Sequence, residues 1–338
     1  MILPQEELLR LVAPHLAPVL VPPETVARIG KFTARLPPAF SWGGLEVRLQ
    51  PDDDRVDLVV CAADWEGCRA ALAAALAQRD PRAPFGALEP LLHAWSQGRG
   101  RLAEMPHVWL EYDRPDSGDP PPFAFVCADP DHRNPLARRT IPLRDLIDLA
   151  REGLTLASGA LDPDAFATYI RCMQLLPPGG RVATAASLVP RGRSELRMDA
   201  SVPHAAIPAW LDAIAWPGER RHLALLLDLL GPRSGTNVEL DLGKRVGPVL
   251  GMLYEPVARS REPASWEPLF ARLIERGACE PAKARAAMEW LGTETVDIPG
   301  AAWLVSIQRD LGIKLTVFPE GRLEAKAYFC YCARYAFS

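Results

Sequence analysis

The sequence predicts a closed, ten-stranded antiparallel β-barrel ringed by α-helices, an α/β fold in the broad sense. Three observations carry that expectation. Strand-like runs arrive in pairs, each pair is followed by helical sequence, and each strand has one apolar and one polar face.

The elements follow in chain order. "MILPQEELLRLVAPHLAPVLVPPE" is apolar, but acids interrupt it and no basic segment precedes it. It reads as a helix rather than a signal peptide, and a second helix over 23–36 leads into the first strand. The first pair is "GLEVRLQ" (43–50) with "RVDLVVCA" (55–62), then "DWEGCRAALAAALAQR" and "GALEPLLHAWSQG". The second is "PHVWLEYD" (106–113) with "PFAFVCAD" (122–129), followed by helices near 142–153 and 162–175. The third is "GRVATAASLV" (180–189) with "SELRMDASV" (194–202), then "PAWLDAIAW" and "ERRHLALLLDLL". The fourth is "TNVELDLG" (236–243) with "VGPVLGMLYEP" (246–256), then "WEPLFARLIERG" and "PAKARAAMEWLG". The fifth is "LGIKLTVF" (311–318) with "RLEAKAYFCYC" (322–332). Pro, Asp, Gly and Ser occupy the turns between partners. The repeat is one of topology, with a period of roughly 60 to 70 residues and no repeated sequence. One barrel domain is expected over 1–338: an N-terminal helical segment, 1–37, then the barrel repeats, 38–338.

Successive side chains of a strand point to opposite faces. Leu45, Val47 and Leu49 therefore oppose Glu46, Arg48 and Gln50, and Val56, Leu58 and Val60 oppose Arg55 and Asp57. Val108, Leu110 and Tyr112 oppose His107, Trp109, Glu111 and Asp113. Leu196, Met198 and Ala200 oppose Glu195, Arg197 and Asp199; Val238, Leu240 and Leu242 oppose Glu239 and Asp241. Ile313, Leu315 and Val317 oppose Lys314 and Thr316, while Ala325, Ala327 and Phe329 oppose Glu324, Lys326 and Tyr328. Helices cover the apolar face, so the polar face must meet water. Either an open sheet keeps one solvated side or a barrel closes around a polar lumen. Ten strands favour closure, because twist accumulates in an open sheet and its edges stay exposed. Lys314, Lys326 and Tyr328 then point into a lumen wide enough for a ligand.

Composition narrows the function. The chain has 338 residues, 49% of them hydrophobic, and a formal net charge of −4 with scattered arginines. Nucleic-acid binding is not its expected main role, and no apolar run is long enough to span a membrane. Seven cysteines without a CxxC spacing suit reduced thiols and a cytoplasmic setting. The 34 prolines and the many Ala and Arg residues fit a GC-rich bacterial origin. "LGKRVGP" lacks the P-loop pattern, and no serine elbow accompanies the histidines. "FCYC" puts Cys330 and Cys332 on one face, with no matching His or Cys spacing elsewhere for a soft metal. The tryptophans at 210, 216, 266 and 290 fall at apolar helical positions and read as core.

Five hairpin-plus-helix units around an antiparallel barrel resemble the ABBA-type aromatic prenyltransferases, the prenyltransferase-barrel family, from about residue 23 to the end. Two stretches add local likeness. "RVATAASLVPRGRSELRMDAS" resembles the central hairpin of peptide-modifying (cyanobactin) members, with a basic residue mid-strand at Arg197. "IKLTVFPEGRLEAKAYF" resembles the last hairpin of indole-modifying members, with a lysine in each strand and a tyrosine.

The resemblance implies a function in specialised metabolism. A prenyl group from dimethylallyl or geranyl diphosphate passes to an aromatic, peptide or guanidine/amine acceptor inside the barrel. It casts Arg48, Arg197, Lys314 and Lys326 as diphosphate ligands. Tyr328, Trp109 and Tyr254 become the shield of the allylic cation, and Glu46 or Glu111 the base. Strict alternation puts Tyr254 outside with Leu250 and Met252, unless a bulge at "GPVLGM" reverses it. No cofactor is required, with Mg²⁺ as an option. One feature departs from a simple diphosphate site: Glu46, Asp57, Glu111, Asp113, Asp199, Glu239, Asp241 and Glu255 all fall on the lumen face. They suit salt bridges to the lumen cations, Mg²⁺ beside the diphosphate, or a cationic acceptor. Two rival readings use the same residues: a non-catalytic barrel holding a peptide or metabolite for a partner enzyme, and an open-sheet interaction scaffold.

Overall fold

The computed structural model describes residues 2–78, 82–115, 117, 120–128, 141–231, 235–254 and 262–336. Two predicted strands, 122–129 and 246–256, run past these limits, and Glu255 lies outside the described residues.

The strands are β1 (Trp42–Arg48), β2 (Val56–Ala63), β3 (His107–Tyr112), β4 (Phe123–Cys127), β5 (Arg181–Ser187), β6 (Leu196–Pro203), β7 (Gly235–Leu242), β8 (Leu250–Tyr254), β9 (Gly292–Val296), β10 (Val305–Val317) and β11 (Leu323–Tyr335). Neighbours pair antiparallel from β1 through β8; β8 then pairs with β10, β10 with β11, and β11 returns to β1. Ten strands among the described residues thus form a closed ring. The open-sheet alternative is overturned, because the first and last hairpins bond along Trp42–Arg48 and no edge remains in the ring. β9 stands outside it, paired with the first half of β10.

The helices are α1 (Gln5–Val12), α2 (Pro23–Thr33), α3 (Cys68–Gln78), α4 (Glu89–Ser96), α5 (Leu143–Ser158), α6 (Pro163–Gln174), α7 (Ile207–Ala213), α8 (Arg220–Leu230), α9 (Glu267–Glu275) and α10 (Pro281–Trp290). They lie outside the ring because the outward strand faces are apolar. Leu45, Val47, Leu58, Val60, Leu110, Met198, Leu240, Ile313 and Phe329 all join one core with helix residues such as Leu8, Trp95, Leu226 and Trp290. Trp290 meets Phe329 edge-on at 5.6 Å, and its indole N–H donates to the Asp310 carbonyl at 3.0 Å. Gly43 is required where α1 crosses β1, since a Cβ there would overlap the Tyr331 ring and the Gln5 side chain. Two smaller apolar clusters sit on the lumen side. One joins Trp42, Cys61, Ala63 and Cys332 with Trp109; the other joins Phe123, Ala186 and Leu188 with Phe125.

β10 begins at Val305, six residues before the predicted start. The alternation that marks it breaks at Arg309, which occupies an outward, otherwise apolar position. Arg309 is accommodated because its Nε donates to the Trp290 carbonyl at 2.9 Å and its guanidinium meets Glu294 at 3.7 Å. β9, "GTETV", has no apolar face to announce it.

Candidate functional site

Each hairpin turn lies at one end of the barrel, and the helical crossovers lie at the other. Alternation and register therefore sort the lumen into two zones. Arg48 on β1 pairs with Lys326 on β11, which pairs with Lys314 on β10. Arg197 enters from β6 opposite Asp241 on β7. The four cations predicted to hold a diphosphate converge on one cavity of about 280 Å³ at the hairpin-turn end. Among the described residues it is lined by seven basic side chains, the other three being Arg55, Arg114 and Arg191, against four carboxylates: Glu46, Asp57, Glu111 and Asp113.

The remaining lumen is a larger chamber of about 640 Å³ toward the crossover end. Its walls are aromatic: Trp42, Trp109, Phe125, Trp266 and Tyr328. Asp199, Glu239 and Asp310 also face it, with Arg181 and His107. Glu111 and Lys314 line both spaces and mark their junction.

Each of the four cations meets a carboxylate. Lys326 Nζ donates to Glu46 Oε1 at 3.0 Å, and Lys314 Nζ to Glu239 at 2.7 Å. Arg197 Nε donates to Asp241 Oδ1 at 2.8 Å, and its Nη1 lies 3.5 Å from Glu239. Arg48 holds Asp57 and lies 3.3 Å from Glu46. Arg191 reaches in from the β5–β6 turn, bridges Glu111 and Asp113, and lies over the Phe123 ring at 4.4 Å. Of the three readings left open for the lumen acids, lumen salt bridges describe those at the charged end.

These pairs set the ionisation. Burial opposes the charge on Glu46, but Lys326, Lys314 and Arg48 outweigh it and Tyr328 donates a hydrogen bond, so its carboxyl is held well below the usual range. Asp57 goes the other way. Burial and the charge on Glu46 push it up to about 7 against the pull of Arg48. Burial and Glu46 also raise Glu111, despite Arg191 and Lys314. Burial and the surrounding carboxylates lift the Tyr328 hydroxyl well above 10, so it stays a neutral donor. Burial works against the Arg197 guanidinium, and Glu239 and Asp241 more than restore its charge.

The oxygens of Glu46, Asp57 and Glu111 fall within 4.8 Å of one another, a spacing that raises the question of a divalent cation. Arg48, Lys326 and Arg191 are already bound to these carboxylates. With these cations in place the three carboxylates leave a Mg²⁺ ion no anionic face of its own.

One predicted position needs correcting. Tyr254 is not a lumen residue. Leu250–Tyr254 pair regularly with Val317–Ile313, without the bulge that would turn the strand, and Tyr254 packs outside against Trp266 at 5.3 Å. Trp266, expected to be core, is buried in the main core cluster and in addition lines the chamber wall. Trp42, Phe125, Arg191 and Asp310 also escaped notice. Arg191 sits in the "PRGR" turn, where two arginines in a polar loop were the only signal.

No protein-family model and no curated protein sequence matches the chain. Among solved structures it is similar to a 6-dimethylallyl tryptophan synthase, with a TM-score of 0.54 and 11% identity, over 96% of this chain and 94% of that one. The fold is that of the prenyltransferase barrel. Within this barrel the hairpin-turn end is charged, the crossover end is aromatic, and no described helix is long and apolar enough to cross a membrane.

Proposed function

We propose that this protein transfers a prenyl group from an isoprenoid diphosphate, dimethylallyl or geranyl, to an acceptor held in the aromatic chamber. The observation that carries the reading is the convergence of Arg48, Arg197, Lys314 and Lys326 on one cavity that opens onto that chamber. The diphosphate is seated among these cations through charge-assisted hydrogen bonds. The C1–O bond breaks, and negative charge develops on the leaving diphosphate where fixed cations meet it. The allylic cation forms at the junction, where Tyr328 and Trp109 present π faces and exclude water. The acceptor attacks C1 and gives up a proton. Glu111 is the better placed base: it lines both spaces, and its raised pKa makes it more basic than Glu46, which Lys326 holds ionised. No divalent cation takes part in this scheme.

Among aromatic, peptide and guanidine/amine acceptors, a nitrogen that binds as a cation is the form best matched to the chamber; it gives its proton to a carboxylate first, and the freed lone pair then attacks C1. Asp199, Glu239 and Asp310 face the same space as Trp42 and Trp109, and carboxylates beside indole faces suit a guanidinium or ammonium. A peptide side chain or a small molecule could present it.

Calorimetry with a non-hydrolysable dimethylallyl or geranyl diphosphate analogue tests the reading, on wild type, Arg197→Ala and Lys326→Ala. Each substitution removes charged hydrogen bonds worth about 1.5–3 kcal/mol, so affinity falls by about 10- to 150-fold. A folded sample that binds neither chain length, with or without Mg²⁺, would leave a barrel that holds a peptide or metabolite for a partner enzyme.

A further inference from the structure

The diphosphate cavity is already neutralised from within. Arg48 is held by Asp57, Lys326 by Glu46, Lys314 by Glu239, Arg197 by Asp241, and Arg191 by Glu111 and Asp113. An incoming diphosphate needs the same N–H groups. The carboxylates it displaces have little room to retreat: Glu46, Asp57 and Glu111 are each less than a tenth exposed, with oxygens within 4.8 Å of one another. Carboxylates stripped of their cations at that spacing cannot all stay charged.

We propose that the diphosphate enters by exchange, taking Arg48 and Lys326 from their carboxylates while Asp57 takes up a proton from solvent. The inference rests on the diphosphate reading above and adds Asp57 as the residue that gates the cavity. Asp57 is the acid the surroundings single out. From β1 it faces Glu46 and Arg48, and from its own strand Arg55. From β3 and just beyond it faces Glu111, Asp113 and Arg114, whose backbone N–H donates to Asp57 Oδ1 at 2.9 Å. Arg191 and Arg197 approach from the β5–β6 hairpin, Lys314 from β10 and Lys326 from β11. Arg48 is its one guanidinium hydrogen-bond partner among the described residues, and a diphosphate would claim that guanidinium first. The Glu46 and Glu111 charges that remain then act on Asp57 unopposed. In a site already under acid repulsion, with a pKa raised to about 7, Asp57 is the group that protonates most readily.

The exchange balances. One proton enters with the diphosphate and rests on Asp57. It leaves when the inorganic product departs and Arg48 returns.

The test is calorimetry of the same diphosphate analogue at pH 8, in HEPES and in Tris buffers, whose ionisation heats differ and neither of which is a phosphate. At that pH the diphosphate is fully ionised, its second ionisation lying near pH 6. Any proton taken up is therefore the protein's. The expected result is a buffer-dependent heat equal to about one proton taken up per diphosphate. Affinity also falls above pH 7, by up to about tenfold per pH unit. Asp57→Asn removes most of the uptake and flattens the pH profile while the analogue still binds. Binding whose heat is the same in both buffers overturns the exchange and leaves the diphosphate site standing. No binding in a folded sample overturns both.

Discussion

Glu46→Gln is the sharpest probe of the charge network, because one atom change should move the ionisation of a neighbouring strand. Glu46 and Asp57 are direct cross-strand partners, with carboxylate oxygens within 4.8 Å. Two unit charges at that distance repel by about 3.5 kcal/mol at an effective dielectric constant of about 20, which corresponds to about 2.5 in pKa. Asp57, pushed up to about 7 by burial and by Glu46, should therefore fall toward the ordinary carboxylate range in the variant, with burial still holding it above that range. The assay is a carboxyl ¹³C titration of Asp-labelled protein, with Asp57→Asn to assign the resonance. Stability follows with a definite sign. A carboxyl raised in the folded state contributes stability that is whole below its unfolded pKa, near 4, and is lost as pH rises to the folded value near 7. Asp57 thus takes away about 1.4 kcal/mol per pH unit across that window, and Glu46→Gln should abolish most of that slope in urea unfolding. Among the described residues the variant also leaves Lys326 with Glu324 at 3.5 Å as its one ion-pair partner, so its stability at pH 7 should drop by up to about 3–5 kcal/mol, the cost of breaking a buried pair. An Asp57 titration unchanged by the substitution would refute the claim that Glu46 holds Asp57 up.

Tyr254→Phe should leave transfer rate and diphosphate affinity within about twofold of wild type, because the ring packs outside the lumen; a large loss in steady-state assays would return Tyr254 to the site. Trp109→Ala should leave diphosphate affinity nearly unchanged but raise the share of prenyl alcohol over prenylated acceptor, read by chromatography, since water then reaches the allylic cation. Lys283→Met should cost about 3 kcal/mol or more in thermal unfolding, because buried Lys283 donates to the carbonyls of Arg48, Gln50 and Asp53 at 3.1, 2.8 and 2.8 Å. It should weaken diphosphate binding as well, by loosening the β1–β2 turn beside Arg48.

The lumen was legible wherever a strand alternates strictly, and obscure where a side chain arrives by another route. Leu45, Val47 and Leu49 against Glu46 and Arg48 state a two-faced strand outright, and the same period on β6, β7, β10 and β11 puts Arg197, Glu239, Lys314 and Lys326 inside. Closure followed from a negative argument: ten two-faced strands have nowhere else to put both their edges and their charges. Alternation also gave Tyr254 its true place, outside with Leu250 and Met252, against the family resemblance that cast it in the shield. Three kinds of residue could not be read this way. Trp266 caps a helix, where an apolar position says core, and core it is; the helical period could not show that the indole also lines the chamber. Arg191 sits in a turn, and turns carry no face; only the fold shows that it reaches back to Glu111 and Asp113 on β3, 80 and 78 residues earlier. Arg309 reverses the rule, a charge pointing outward because α10 offers it the Trp290 carbonyl. The ion pairs lie deeper still. Sequence periodicity gives each residue a face and a height along its strand, but a partner depends on register around the whole ring. Asp57 illustrates the limit. Its face was plain and its place beside Glu46 belongs to the β1–β2 hairpin, whereas the approach of Glu111 required β2 to pair with β3, a strand that begins about fifty residues later. A titration near neutrality is a property of that three-strand neighbourhood, and it is the feature on which the proposed control of the charged cavity turns.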